Sequence, residues 1–342
     1  MYILTINTGS SSVKVDLFHY SNLKHAASTQ IDRVTSYDKA FKQAIENLKI
    51  DNIKDIKVVT HRVVHGGERY TDTMLITTNL EKALHKLSSL APLHNPVNLK
   101  GIKAAKKIFH CPHFAVFETA FHKTIPQKAH IYGLPIKYYR NDGVRKYGFH
   151  GINHKYMYSK ALKELGKLKA SGITCHIGNG VSVTAIEKGE VIDTSMGFTP
   201  LEGCIMGTRS GSIDPEILSY LKSRYGRLNT HKLIQEKSGL LGLSEFSSDM
   251  RDIYAKAKSG VKKAQLVLDI YNYSIAKYIG MYFAMLPELD FIAFSGGIGQ
   301  NAAYVRKGIL QNLPAIKRPK IIVIEAKEAY QMALETKEKL EN

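Results

Sequence analysis

Cysteine is scarce in this chain of 342 residues: only Cys111, Cys175 and Cys204 occur, none at the close spacing of a zinc site or a redox pair. A zinc module and a CxxC-type redox centre are thereby excluded, and the three thiols read as reduced core or loop residues. No stretch reaches the apolar length that crosses a bilayer, so no membrane partner is expected. The opening residues, Met1-Tyr-Ile-Leu-Thr-Ile-Asn-Thr8, lack the basic and long apolar regions of a secretory signal, so the expected address is cytoplasmic. Acidic residues are short of basic ones, 30 Asp and Glu against 48 Lys and Arg, which leaves a formal charge of +18. No aromatic-interleaved basic motif accompanies that excess, and its lysines are scattered along stretches such as 100–107 and 155–169. A solvated basic surface that attracts anions accounts for it, and no nucleic-acid partner is expected. The chain is long enough for two domains, but no Pro/Gly/Ser linker or low-complexity tract marks a boundary.

What is present is a run without hydrophobic periodicity, Asp193-Thr-Ser-Met-Gly-Phe-Thr-Pro-Leu-Glu-Gly-Cys-Ile-Met-Gly-Thr-Arg-Ser-Gly-Ser-Ile-Asp-Pro215. Gly197, Gly203, Gly207 and Gly211 permit tight turns and close approach to a ligand, and Arg209 offers a planar charged fork for carboxylate or phosphate oxygens. The run reads as a loop that grips an anion; a structural loop with an exposed arginine is the bland alternative. Residues 2–18 read as strand, polar glycine turn and strand, and residues 172–186 repeat the pattern, Gly180 and Ser182 following Gly9 and Ser11 at one common offset. Two such hairpins can present N–H groups and hydroxyls to phosphates. Helical patterns at 37–49, 79–90, 98–109, 152–165, 214–225 and 261–285 alternate with strand-like runs at 56–64, 113–118 and 290–295, which predicts an α/β architecture.

The signature run resembles that of acetate kinases. So do Asn7-Thr-Gly-Ser-Ser-Ser-Val-Lys14, His61-Arg-Val-Val-His-Gly-Gly67, Leu90-Ala-Pro-Leu-His-Asn-Pro96, Tyr147-Gly-Phe-His-Gly151, His176-Ile-Gly-Asn-Gly180 and Phe294-Ser-Gly-Gly-Ile-Gly-Gln-Asn301. Any one glycine-rich piece is weak; several in the family's order are not. The resemblance implies a two-domain duplicated α/β fold of the sugar-kinase, Hsp70 and actin type, with an interdomain cleft that closes by hinge motion. It places an N-terminal domain at 1–121 plus 329–342 and a nucleotide-binding, dimerising domain at 122–328. The implied activity is reversible, direct phosphoryl transfer from ATP to acetate, with ADP as the other nucleotide, Mg²⁺ as the metal, Mn²⁺ as its alternative, and a homodimer as the assembly.

By the same resemblance Arg62 and Arg209 serve the acyl carboxylate and the migrating group, with Glu118, His150 and His94 completing the catalytic set. Val64, Leu93, Phe149 and Pro200 would meet the acyl chain. Lys14, His176, Gly178, Asn179, Gly180, Asp249, Met250, Arg251, Gly296, Gly297, Ile298 and Asn301 would meet the nucleotide. Asn7, Glu118 and Glu328 are the metal candidates. Taken singly, the histidines also read as hydrogen-bonded structural residues, the apolar four as core, and Arg62 as a surface ion pair. The chain departs from the family pattern at Glu118, where Asp is usual, at the Glu325-Ala-Lys-Glu-Ala329 segment, and at Ser212, Gln300 and Ile152-Asn153. Propionate as substrate, or a catalytically impaired nucleotide-binding relative, are the alternatives these residues leave open.

Overall fold

Short apolar runs separated by glycine and serine make hairpins, and the chain begins with one: β1 (Tyr2–Thr8) and β2 (Ser12–His19) pair antiparallel, Tyr2 opposite His19 and Thr8 opposite Val13. The computed structural model describes residues 1–92, 94–315 and 319–342, apart from the side chain of Leu228. After the hairpin come β3 (His25–Asp32), α1 (Tyr37–Asn47), β4 (Ile56–Val63), β5 (Met74–Leu75), α2 (Thr78–Lys86), α3 (Asn95–Ile108) and β6 (His113–Phe117). Two short helices, α4 (Gln127–His130) and α5 (Lys137–Asp142), lead to α6 (Gly151–Leu165). A second hairpin follows, β7 (Gly172–Ile177) with β8 (Val181–Glu187), then β9 (Glu190–Thr194). Helices α7 (Pro215–Tyr225), α8 (Arg227–Glu236), α9 (Gly239–Ser244), α10 (Met250–Lys258) and α11 (Lys262–Met285) precede β10 (Phe291–Ser295), α12 (Gly296–Asn301), α13 (Ala303–Gln311), β11 (Lys320–Val323) and α14 (Glu328–Glu341).

The strands form a six-stranded sheet of order β3-β2-β1-β4-β6-β5 and a five-stranded sheet of order β11-β10-β7-β8-β9. In the first, β1 and β2 are antiparallel, as are β2 and β3, while β4 runs parallel to β1 and β6 parallel to β4. The second has the same arrangement: β7–β8 and β8–β9 antiparallel, β10 parallel to β7 and β11 parallel to β10. The fold is thus a duplicated α/β fold, three antiparallel strands and two parallel strands per copy, and only the edge strand β5 falls outside the repeat.

The chain divides into two compact units, residues 1–123, 151–156 and 327–342 in one, residues 124–150 and 157–326 in the other. In the first, α1 covers β2 and β3 through Phe41 and Ala44 and α3 covers β1 and β4 through Ala104 and Ala105, while α14 covers Ile3, Val58 and Phe114 on another face through Ala333 and Tyr330. Central strands covered on both faces read as continuous apolar runs, which is why β1 and β4 are buried almost throughout. In the second unit α11 packs on β7 and β8 and buries Tyr271, Ile275 and Tyr282. The edge strands β3, β5, β9 and β11 escape the sequence pattern, because a strand that is short or half open to solvent carries little apolar signal.

Candidate active site

Parallel strands gather functional loops at their carboxyl ends. In the first unit Asn7 lies near the end of β1, Arg62 near the end of β4, and Glu118 one residue past β6. The pairing of β4 with β6 sets Arg62 opposite Val116, which brings Glu118 within reach. Arg62 Nε donates to Glu118 Oε1 at 2.7 Å and Nη1 donates to Asn7 Oδ1 at 3.2 Å. Burial alone would depress the Arg62 pKa, but the negative charges of Glu118 and Glu328 outweigh it and raise the value. Glu118 is fully buried, and its second oxygen, Oε2, has no hydrogen-bond partner.

Glu328 opens α14 close to the same carboxylate. Burial, then the charge of Glu118, pushes its carboxyl up to about 7, against the opposing effect of Arg62 and Lys14. Two buried carboxylates, one of them with an oxygen that has no partner, and the Asn7 amide oxygen make a set of hard oxygen donors, and Mg²⁺ takes only one or two carboxylates from its protein. The residues present therefore fit a divalent cation, and Asn7, Glu118 and Glu328 are the side chains that would hold it. Among the described residues no group of three or more His, Cys, Asp or Glu side chains forms a denser metal site.

The turn after β4 is held by two asparagines that sequence reading did not single out. Asn98 of α3 accepts from Val64 N–H at 3.1 Å and donates to Thr8 carbonyl at 3.0 Å, while Asn95 accepts from His65 N–H at 3.2 Å and donates to the His65 carbonyl at 3.0 Å. Gly66 is obligatory here, since a Cβ would lie 2.0 Å from the Tyr70 carbonyl oxygen. Val64 is buried beside this turn, and His94 is exposed at the start of α3. Leu93 lies outside the described residues.

In the second unit His150 caps the start of α6 with φ +58°, a left-handed conformation uncommon for a residue other than glycine. Its Nδ1 is 2.9 Å from Ser182 Oγ in β8, and its ring stacks on His176 of β7 at 4.1 Å between centroids. A Cβ on Gly180 would lie 3.1 Å from Arg209 Nη2 and 3.2 Å from His150 Nε2, so this glycine, the arginine and the histidine surround one small space. Arg209 Nη1 donates to the Pro200 carbonyl at 2.8 Å. Burial lowers the Arg209 pKa, and no carboxylate pairs with the guanidinium among the described residues. Phe149 is buried and Pro200 half-buried. The sequence pattern marks Ser182 only as part of a hairpin repeat; in the fold its hydroxyl is a hydrogen-bond partner of the His150 ring.

The glycine turns of β7–β8 and β10–α12 are neighbours, a Gly178 Cβ coming within 4.0 Å of Gly297 N. Gly296 has φ +81° and packs its backbone on Ile177, and Asn301 Nδ2 donates to the Gly297 carbonyl at 2.9 Å. The Asn179 carbonyl accepts from Gly207 N–H at 2.9 Å, tying this hairpin to the signature loop. Asp249 caps α10 by accepting from Arg251 N–H at 2.8 Å, and Arg251 folds its exposed guanidinium back on the same carboxylate, Nη2 to Oδ2 at 2.6 Å; Met250 between them is buried. Lys14 is exposed on β2, 3.8 Å from Asp16.

The acetokinase family pattern matches residues 36–317. The acetate kinase of Natranaerobius thermophilus is 42% identical over 92% of this chain and 87% of its own length. Among solved structures, a propionate kinase from Francisella tularensis superposes with a TM-score of 0.94 at 34% identity, covering 98% of both chains. The acetate kinase of Porphyromonas gingivalis gives 0.92 at 34% identity over 99% of both.

Proposed function

This chain belongs to the acetokinase family, phosphotransferases with a carboxyl group as acceptor, and from that membership we propose that it converts acetate and ATP reversibly into acetyl phosphate and ADP. The observation that carries the reading is Arg209: a half-buried guanidinium with no carboxylate partner among the described residues, sharing the space beside Gly180 with the His150 ring. An uncompensated charge out of water is unfavourable until an anion joins it, so this arrangement favours a phosphoryl ligand.

One bond forms, from a carboxylate oxygen to the γ-phosphorus, and one breaks, from that phosphorus to the bridging oxygen, whose electron pair leaves with ADP. The acceptor enters ionised at neutral pH, so no base has to remove a proton and no covalent enzyme intermediate is needed. What the protein must supply is position and positive charge. Arg62, with Nε on Glu118 and Nη1 on Asn7, is held rigidly and keeps Nη2 for a substrate oxygen. Arg209 and His150 steady the migrating group, and His94 is a second positioning candidate. Val64, Leu93, Phe149 and Pro200 are assigned to the acyl chain. His176, Gly178, Asn179, Gly180, Lys14 and the segments around Met250 and Gly297 are assigned to the nucleotide. Mg²⁺, or Mn²⁺ in its place, held by Asn7, Glu118 and Glu328, would neutralise phosphate charge when bound. A cytoplasmic homodimer completes the proposal. Propionate is the second reading, supported by the likeness to the Francisella propionate kinase.

The test mixes pure protein with Mg-ATP and acetate, propionate or butyrate, and traps acyl phosphate with hydroxylamine. Product is expected with the two shorter acids. Arg62→Ala and Arg209→Ala, shown folded by circular dichroism, should each lose about a thousandfold in kcat, on the order of 4 kcal/mol of transition-state stabilisation. Full activity in both variants would refute the site.

A further inference from the structure

Tyr132 and Glu202 have no role in the chemistry above, yet their side chains meet inside the signature loop that carries Arg209. The Tyr132 hydroxyl donates to Glu202 Oε2 and accepts from Phe198 N–H at 2.8 Å. The loop wraps the pair so closely that a Cβ on Gly197 would stand 1.7 Å from Glu202 Oε2 and 2.2 Å from the tyrosine oxygen. At the start of this loop the Gly197 carbonyl accepts from Tyr147 N–H at 3.1 Å and Gly148 N–H at 3.3 Å, which anchors it to the segment ahead of His150. Between Phe198 and Glu202 lies Pro200, whose carbonyl takes the Arg209 Nη1 hydrogen bond at 2.8 Å. That is the hydrogen bond that orients the guanidinium toward Gly180 and His150.

We propose that Tyr132 and Glu202 are positioning residues of this transferase: a phenol–carboxylate latch that fixes residues 197–202, places the Pro200 carbonyl and so aims Arg209. The inference rests on the assignment of Arg209 to the migrating phosphoryl group. Loss of the hydroxyl leaves both Phe198 N–H and a Glu202 oxygen without a partner, and the loop must shift to satisfy them. A displacement of about 1 Å at a group that has to meet a transition state can cost on the order of a hundredfold in rate. Burial first, then Glu202, holds the phenol far above its ordinary pKa, so the donor stays protonated throughout the working pH range.

Tyr132→Phe should lower kcat by roughly 30- to 100-fold while KM for Mg-ATP moves less than about threefold. In an Arg209→Ala background the same substitution should change kcat by less than about threefold, because the latch acts through the arginine. Equal losses in both backgrounds mean a merely structural tyrosine and overturn the proposal, as does an unchanged kcat. Glu202→Gln, which keeps an accepting oxygen, should retain most of the rate that Glu202→Ala loses; equal loss in the two overturns the latch even if Tyr132→Phe cannot be folded. Amide exchange at residues 197–203 needs no activity: it should accelerate at least tenfold in Tyr132→Phe or Glu202→Ala, and unchanged protection refutes the latch. Wild-type protein that forms no acyl phosphate would refute the proposed function instead, leaving the exchange result to decide the latch.

Discussion

At the scale of single residues, Glu118 and His65 behave in ways their neighbours in sequence do not announce. Glu118 makes a 2.7 Å ion pair with Arg62 while keeping its other oxygen unpartnered. His65 is fully buried and accepts from Gly67 N–H on Nδ1 at 3.0 Å. Burial drops its pKa from 6.5 to about 4, so the folded protein holds it neutral at pH values where the unfolded chain protonates it. Its contribution to stability is complete above about pH 6.5 and is lost as the pH falls toward 4, amounting to about 2 kcal/mol by pH 5. His61 and His113, also lowered first of all by burial, act in the same direction. Urea midpoints at pH 7.5 and pH 5 should differ accordingly, and His65→Asn, which keeps the acceptor for Gly67, should flatten the difference. An identical midpoint at both pH values in the wild type would remove this account.

Among the elements, α3 does more than cover a sheet. Its first turns bring buried Asn95 and Asn98 under the end of β4, and Asn98 bridges Val64 N–H and the Thr8 carbonyl, so one helix sets the ends of two strands. Asn98→Ala leaves both backbone groups unpaired and should cost about 2–4 kcal/mol. Chemical denaturation measures that cost directly, and a loss below about 0.5 kcal/mol would mean that water replaces the side chain. Asparagine inside a helical pattern reads as a poor helix former facing solvent, so its role was not legible; the Leu-His-Asn-Pro motif drew attention to His94, which the structure leaves exposed. Both hairpins were legible, because apolar runs around a glycine turn form locally whatever the rest of the chain does.

On the scale of the whole molecule, the repeated strand order of the two sheets and the net charge of +18 are the two properties with consequences. A strongly basic protein draws anionic nucleotides by long-range attraction, which salt screens. Between about 20 and 200 mM NaCl, kcat/KM for Mg-ATP should fall several-fold with kcat nearly constant; a flat profile would show that the charge is spread too evenly to steer.

The sequence alone determined the α/β class, the duplicated hairpins and the glycine-rich segments, since turns, alternation and glycine's conformational freedom are properties of neighbouring residues. Tertiary structure alone decided that Glu118 meets Arg62 across 56 positions, that Ser182 meets the His150 ring across 32 and that Tyr132 reaches Glu202 across 70. Such pairings depend on which strand lies beside which and on how loops close over them, and no local pattern encodes that distance. Burial and partners decide whether Arg62 and Arg209 are surface charges or site residues, because the free energy of a guanidinium is set by its surroundings.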